Sequence, residues 1–242
     1  MTPSTPVNPP LQVGMLLYPM LTQLDLTGPF EVFSRMSNTR VHLLWKTDEP
    51  VKSDGGLTLL PTMTLAECPM LDVVFVPGGA GQVAMMDDAG VLEFLAKQGA
   101  TASYITSVCT GSLVLGAAGL LKGYRAACHW MSRDQLELLG AVPVAERVVV
   151  DRNRVTGAGV TAGIDFALRL AAKLRGEAEA KQIQLQMEYD PDPPFQAGSP
   201  ESAGTELVAA LRKRFEPFVA VRREATLRAK ARLERKEEAE RP

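Results

Sequence analysis

Apolar runs alternate with helical periodicities from residue 11 onward. The run "LQVGMLL" (11–17) closes at Tyr18-Pro19 and predicts a buried strand. "QLDLTGPFEVFSRM" (23–36) shifts to a helical period, with Thr27 or Gly28 expected as its cap and Pro29 in its first turn. "RVHLLW" (40–45) and "GLTLLP" (56–61) predict further strands. "DVVFVPGGAG" (72–81) is a strand running into a glycine loop, and "VLEFLAKQ" (91–98) a helix. "SYITSV" (103–108) and "TGSLVLGAAGLL" (110–121) repeat the strand-then-helix order. "ERVVVDRNRVTGAG" (146–159) suggests a strand pair, and "TAGIDFALRLAAKL" (161–174) an amphipathic helix. Helical signal resumes over "EAEAKQIQLQMEY" (177–189) until "DPDPPFQAGSP" ends it.

Strands alternating with helices predict an α/β fold: a mostly parallel sheet with helices on both faces, a flavodoxin-like sandwich. Ligands then bind beyond the carboxyl ends of the strands. Asp25, Gly78-Gly79 and Cys109 all fall just past such ends. Residues 1–10, rich in Pro, Ser and Thr, suggest a disordered lead-in, and 11–204 the catalytic domain. Residues 205–242 are expected to form a charged helical tail. Acidic residues interleave with its basic ones, so it reads as a solvated helix packed on the body or a partner subunit, not a DNA-binding arm.

Composition narrows the classes. A net charge of −2 and a pI near 5.8 leave no footprint for nucleic acid or an anionic membrane. Residues 98–121 carry no charge and are long enough to span a bilayer. Their four glycines and many Ser and Thr make the stretch too polar for a membrane helix, and a soluble protein is expected. Three cysteines without CxxC spacing build no disulfide framework, which suits a reducing cytoplasm. With only His42 and His129 to join them, no metal site is expected, and no cofactor.

Cys109 marks a strand-to-helix turn, where a nucleophile elbow could hold a side chain above the sheet. A helix N-terminus there would lower its pKa; the alternative is a cysteine acting as a small core hydrophobe. "PGGAG" (77–81) could converge backbone N–H groups into an anion-binding nest, making Gly78 and Gly79 candidates for oxyanion contacts. Gly79-x-Gly81-x-x-Ala84 and Gly157-x-Gly159-x-x-Ala162 also fit a relaxed dinucleotide pattern. Neither follows the first strand, and no ribose-binding acid follows, so nicotinamide binding is not expected. Asp25 is open to two readings: a helix cap, or an acid–base group whose apolar setting raises its pKa. His129 could be a base for Cys109 or a structural histidine; Cys68 and Cys128 look like packing residues.

"LLYPMLTQLDLTGPFEVF", "DVVFVPGGAG", "SVCTGSLVLGAAGLLKGYRAACHW" and "TGAGVTAGIDFALRLAAKL" together resemble the ThiJ/PfpI superfamily, with its class I glutamine-amidotransferase-like fold. Within it the chain is most similar to the isocyanide hydratases, from about residue 11 to "RREATLRAKARL". That resemblance implies hydration of a small-molecule isocyanide to an N-substituted formamide, in a protein that is usually a homodimer. Cys109 would be the nucleophile, Asp25 the acid–base carboxylate and Thr110 the residue that helps order the site. Gly79 lies where the superfamily's glycine loop supplies N–H donors. Peptidase-like members have His after the cysteine where this chain has Thr110, which argues against proteolysis. The resemblance also implies a run of three glycines at 157–159, which Ala158 interrupts.

Overall fold

The computed structural model describes residues 9–239. The lead-in expected at 1–10 therefore lies, but for Pro9 and Pro10, outside the described residues. The strands are β1 (Leu11–Leu16), β2 (Thr39–Trp45), β3 (Val51–Lys52), β4 (Thr58–Leu59), β5 (Met63–Thr64), β6 (Val73–Val76), β7 (Tyr104–Val108), β8 (Arg125–Ala126), β9 (Val142–Pro143), β10 (Val148–Asp151) and β11 (Arg154–Gly157). Helices are α1 (Gln23–Phe33), α2 (Gln82–Met85), α3 (Ala89–Gly99), α4 (Gly111–Ala117), α5 (Ala162–Arg175), α6 (Glu177–Gln186), α7 (Pro200–Ala203) and α8 (Thr205–Ala239).

The main sheet runs β10-β11-β7-β6-β1-β2-β5 and is parallel except for β10, which pairs antiparallel with β11. Central strand β6 is buried along its whole length, as a parallel strand covered on both faces must be. On one face α1 and α5 pack against each other and on the sheet; α3 and α4 cover the other. Phe166 of α5 ties that first layer together: it stacks on Phe75 of β6 at 5.7 Å and meets Phe33 of α1 edge-on at 5.9 Å.

Three elements depart from the sequence reading. The strand expected at 56–61 shrinks to two residues in a β3–β4 hairpin, and the sheet edge is instead β5. The helix expected to cap at Thr27 or Gly28 begins at Gln23, so Pro29 lies within it. The ring is tolerated because it fills space against α5: a Cβ on Gly163 would stand 3.0 Å from Pro29. The helix predicted to reach residue 121 ends at Ala117, where tight turns carry the chain to β8.

The tail is a single helix, α8, and it belongs to the body. Thr226 donates to Gln135 at 2.8 Å, Arg228 to Asp87 at 2.6 Å, and Arg232 to the Met86 carbonyl at 2.7 Å. On its inner face Ala225 and Ala229 are fully buried.

Candidate active site

The chain turns sharply after β7. Cys109 holds a φ of +59°, a left-handed conformation that costs a non-glycine residue energy and survives only where surrounding contacts enforce it. Two contacts do so. The Cys109 N–H donates to the Gly157 carbonyl at the end of β11, 3.1 Å away. Gly111 lets α4 start against the end of β6, since a Cβ there would sit 2.2 Å from the Val76 carbonyl oxygen. The elbow read from the sequence is present, and Cys109, 6% exposed, lines a cavity.

The glycine loop after β6 closes the other side. Segment 18–22 is stitched to it: the Thr22 N–H donates to the Gly78 carbonyl at 3.0 Å, and the Tyr18 hydroxyl to that of Pro77 at 2.8 Å. Gly79 adopts a φ of +131°, and a Cβ there would lie 2.3 Å from the Thr22 nitrogen. The expected oxyanion role of Gly78 and Gly79 changes accordingly. The Gly78 N–H donates to Asp25 Oδ2 at 2.8 Å, and the Gly79 N–H to Thr110 Oγ1 at 3.1 Å. Both amides thus hold site side chains instead of facing open space.

Asp25 is fully buried and does not cap α1; its carboxyl reaches 53 residues along the chain to Gly78 and also interacts with the Cys109 thiol. Oδ1 has no conventional hydrogen-bond partner among the described residues. Desolvation raises the carboxyl to about 7, while the Gly78 amide and Cys109 pull the other way. Cys109 departs from the lowered pKa expected of an elbow. Burial, then the neighbouring Asp25 carboxylate, pushes the thiol well above its ordinary value, and the Thr110 amide offsets only part of this. Asp25 and Cys109 therefore act as one coupled pair that holds a proton between them.

The cavity over Cys109 measures about 590 Å³. Trp130 and Val160 form part of its wall, and α8 supplies Leu211, Phe215, Phe218, Val219 and Arg222. The sequence reading kept the tail outside the catalytic domain. Arg222 lies on the cavity because α8 folds back across it. The alternation of "LRKRFEPFVAVRRE" carried a faint signal, a run of aromatics in an otherwise charged helix. His129 also lines the cavity and is held near 4 by burial, hence neutral; its Nδ1 accepts from the Met131 N–H at 3.4 Å. Cys128 is fully buried and pushed up to about 12, as a packing residue would be. Cys68 is half-buried.

Comparison with known proteins places this geometry. The chain is 54% identical over 223 residues to an isonitrile hydratase of Pseudomonas putida, covering 92% of this chain and 98% of that protein. It is 31% identical to the HTH-type transcriptional regulator GbdR of Pseudomonas aeruginosa, across 75% of this chain but 51% of the regulator. A ThiJ/PfpI family protein from Pseudomonas syringae superposes with a TM-score of 0.88 at 47% identity, covering 93% of each chain. The DJ-1/PfpI family profile matches residues 12–173, which takes in Asp25, the glycine loop, the Cys109 elbow and most of α5. With the family's sheet and elbow both in place, the chain belongs to the DJ-1/PfpI family.

Proposed function

We propose that this protein hydrates isocyanides to N-substituted formamides through a thioimidate on Cys109. The observation that carries the reading is the Asp25–Cys109 pair, in which Cys109 lines a mostly apolar cavity and the buried Asp25 carboxyl stands directly behind it. The similarity to isonitrile hydratase over nearly the whole chain supports it. An isocyanide, R–N≡C, has a terminal carbon open to a soft sulfur and no net charge, and the wall of Phe215, Phe218 and Trp130 suits an apolar R group.

The proton count closes on the pair. Asp25 carboxylate takes the thiol proton as sulfur attacks the terminal carbon, then delivers it to that carbon, giving Cys109–S–CH=N–R. Water adds to the thioimidate carbon; Asp25 accepts its proton and passes it to nitrogen. In the tetrahedral adduct the remaining hydroxyl proton moves to Asp25 as the C–S bond breaks and its electron pair returns to sulfur. The formamide leaves, and the proton on Asp25 returns to the thiolate. A carboxyl near 7 is tuned for such repeated transfers at neutral pH.

The test is rapid acid quench and mass spectrometry during turnover. One isocyanide-sized adduct is expected on the Cys109 peptide, and Cys109→Ala should form neither adduct nor formamide. Formamide production by Cys109→Ala would overturn the covalent route. The same assay with methylglyoxal addresses a carbonyl-directed activity, which would need His129 on the cavity wall to take part.

The reading extends to a homodimer in the cytoplasm. Met20, Leu24 and Leu57 are exposed on adjoining segments, since the Met20 and Asp54 amides bind the hairpin to the β1–α1 connection. Such side chains favour burial against a second copy. No described helix is long and apolar enough to cross a membrane.

A further inference from the structure

The reaction as written leaves one charged group on the cavity unused. Arg222 is 5% exposed. Its Nε donates to Gln82 Oε1 and its Nη1 to Ser132 Oγ, each at 2.6 Å, and the guanidinium lies 4.6 Å from the centre of the Phe218 ring. Both acceptors are neutral, and among the described residues no carboxylate is in ion-pair contact with it. A buried cation without a counter-ion is costly, so the surroundings must either neutralise it or use it.

We propose that Arg222 is a positioning residue whose fixed positive charge stabilises Cys109 as an anion. It acts when the thiol gives up its proton and again when sulfur leaves the tetrahedral adduct with the C–S electron pair. This rests on the reading of Cys109 as nucleophile. Desolvation lowers the Arg222 pKa, and the groups that oppose the fall are Cys128, Cys109 and Tyr18. Of these only Cys109 lines the cavity; Cys128 is sealed in the core, and the Tyr18 hydroxyl is committed to Pro77. Of the groups whose anion the guanidinium would favour, Cys109 is thus the one that substrate reaches; His129, also on the wall, is held neutral by burial and by the same charge. Its neutral anchors matter for the same reason, since a carboxylate at Gln82 or Ser132 would cancel the charge before the sulfur could use it.

The experiment follows Cys109 alkylation by iodoacetamide from pH 6 to 10, read by peptide mass, in the full chain and its variants. Around the sulfur, Asp25 of α1, Tyr18, Asp54 of the hairpin, and Cys128 and His129 after β8 are the same in parent and variants, so the titration of Asp25 near 7 is common to every profile. Arg222→Gln should move the profile up by about one pH unit, a roughly tenfold slower reaction at pH 7.5. Arg222→Lys, which keeps the charge but not the fork, should stay within about threefold of the parent. A folded Arg222→Gln whose profile overlies the parent's would overturn the proposal and leave Arg222 as a helix anchor. Should Arg222→Gln not fold, Gln82→Glu is the isosteric alternative. It sets a carboxylate against the guanidinium and should slow alkylation similarly; an unshifted profile there overturns the proposal as well. Parent Cys109 reacting no faster than Cys68 would instead remove the nucleophile reading, and this proposal with it.

Discussion

Asp25→Asn tests the site through stability as well as rate. The asparagine keeps an oxygen to accept the Gly78 N–H at 2.8 Å and loses only the charge and the proton. In the parent the carboxyl is raised from 3.8 to about 7 by burial. Between those values the folded protein holds a proton that the unfolded chain has released. The parent's stability is therefore intact below about pH 4, falls as pH rises, and reaches its reduced plateau above about 7. A rise of about three units at about 1.4 kcal/mol each puts the full cost near 4 kcal/mol. Asparagine does not titrate, so the stability difference, variant minus parent, should grow by about 1.4 kcal/mol per pH unit between about pH 4 and 7 and level off above that. Reversible urea unfolding at pH 5, 6, 7 and 8 measures it, and all titrations common to both proteins cancel. Turnover should fall by about two orders of magnitude or more, because the amide cannot cycle a proton. A stability difference that does not change with pH would refute the raised carboxyl. A variant that is uniformly less stable yet active would return Asp25 to a structural role.

Gly78→Ala should lower kcat/KM about a hundredfold in steady-state assays, because its Cβ would lie 2.6 Å from the Thr110 nitrogen and 2.7 Å from Asp25 Oδ2. The kcat/KM profile should be bell-shaped with its acid limb centred near 7, where the first of two protons leaves the Asp25–Cys109 pair; a limb near 4 would mean that the carboxyl is not raised. Truncation after Gly204 should lower the melting temperature in scanning calorimetry and abolish turnover, since it strips Phe215, Phe218 and Arg222 from the cavity. An unchanged melting temperature would mean that α8 is not bound to the body.

The sequence was most legible where one local signal decided the outcome. The apolar run ending at Val76 and the uncharged, β-favouring stretch ending at Val108 located β6 and β7, and the small residues after each located the glycine loop and the elbow. Asp25 could not be resolved locally, because capping and catalysis ask for the same residue near a helix start. Only the partner 53 residues away at Gly78 distinguishes them. The thiol's ionisation was misread for a related reason: a helix start is visible in sequence, whereas enclosure beside a carboxylate is not. Arg222 was invisible as a site residue, since its place depends on how far α8 folds back, and the mixed charge of that helix resembles any solvated surface.

The return of α8 also sets an order of events in biosynthesis. Asp25, the glycine loop and Cys109 all precede it, and every strand of the sheet is complete by Gly157. If Cys109 is the nucleophile proposed above, a chain emerging from the ribosome can complete its elbow while the helix that covers it is still untranslated. During that interval Cys109 is open to any oxidant or electrophile in the cell, and afterwards only to what fits the cavity. Premature termination downstream of α5 would release a polypeptide with its elbow formed and its filter missing. On the proposed role of Cys109, quality control that removes such fragments would protect the cell from an unselective nucleophile, and not merely from an inactive enzyme.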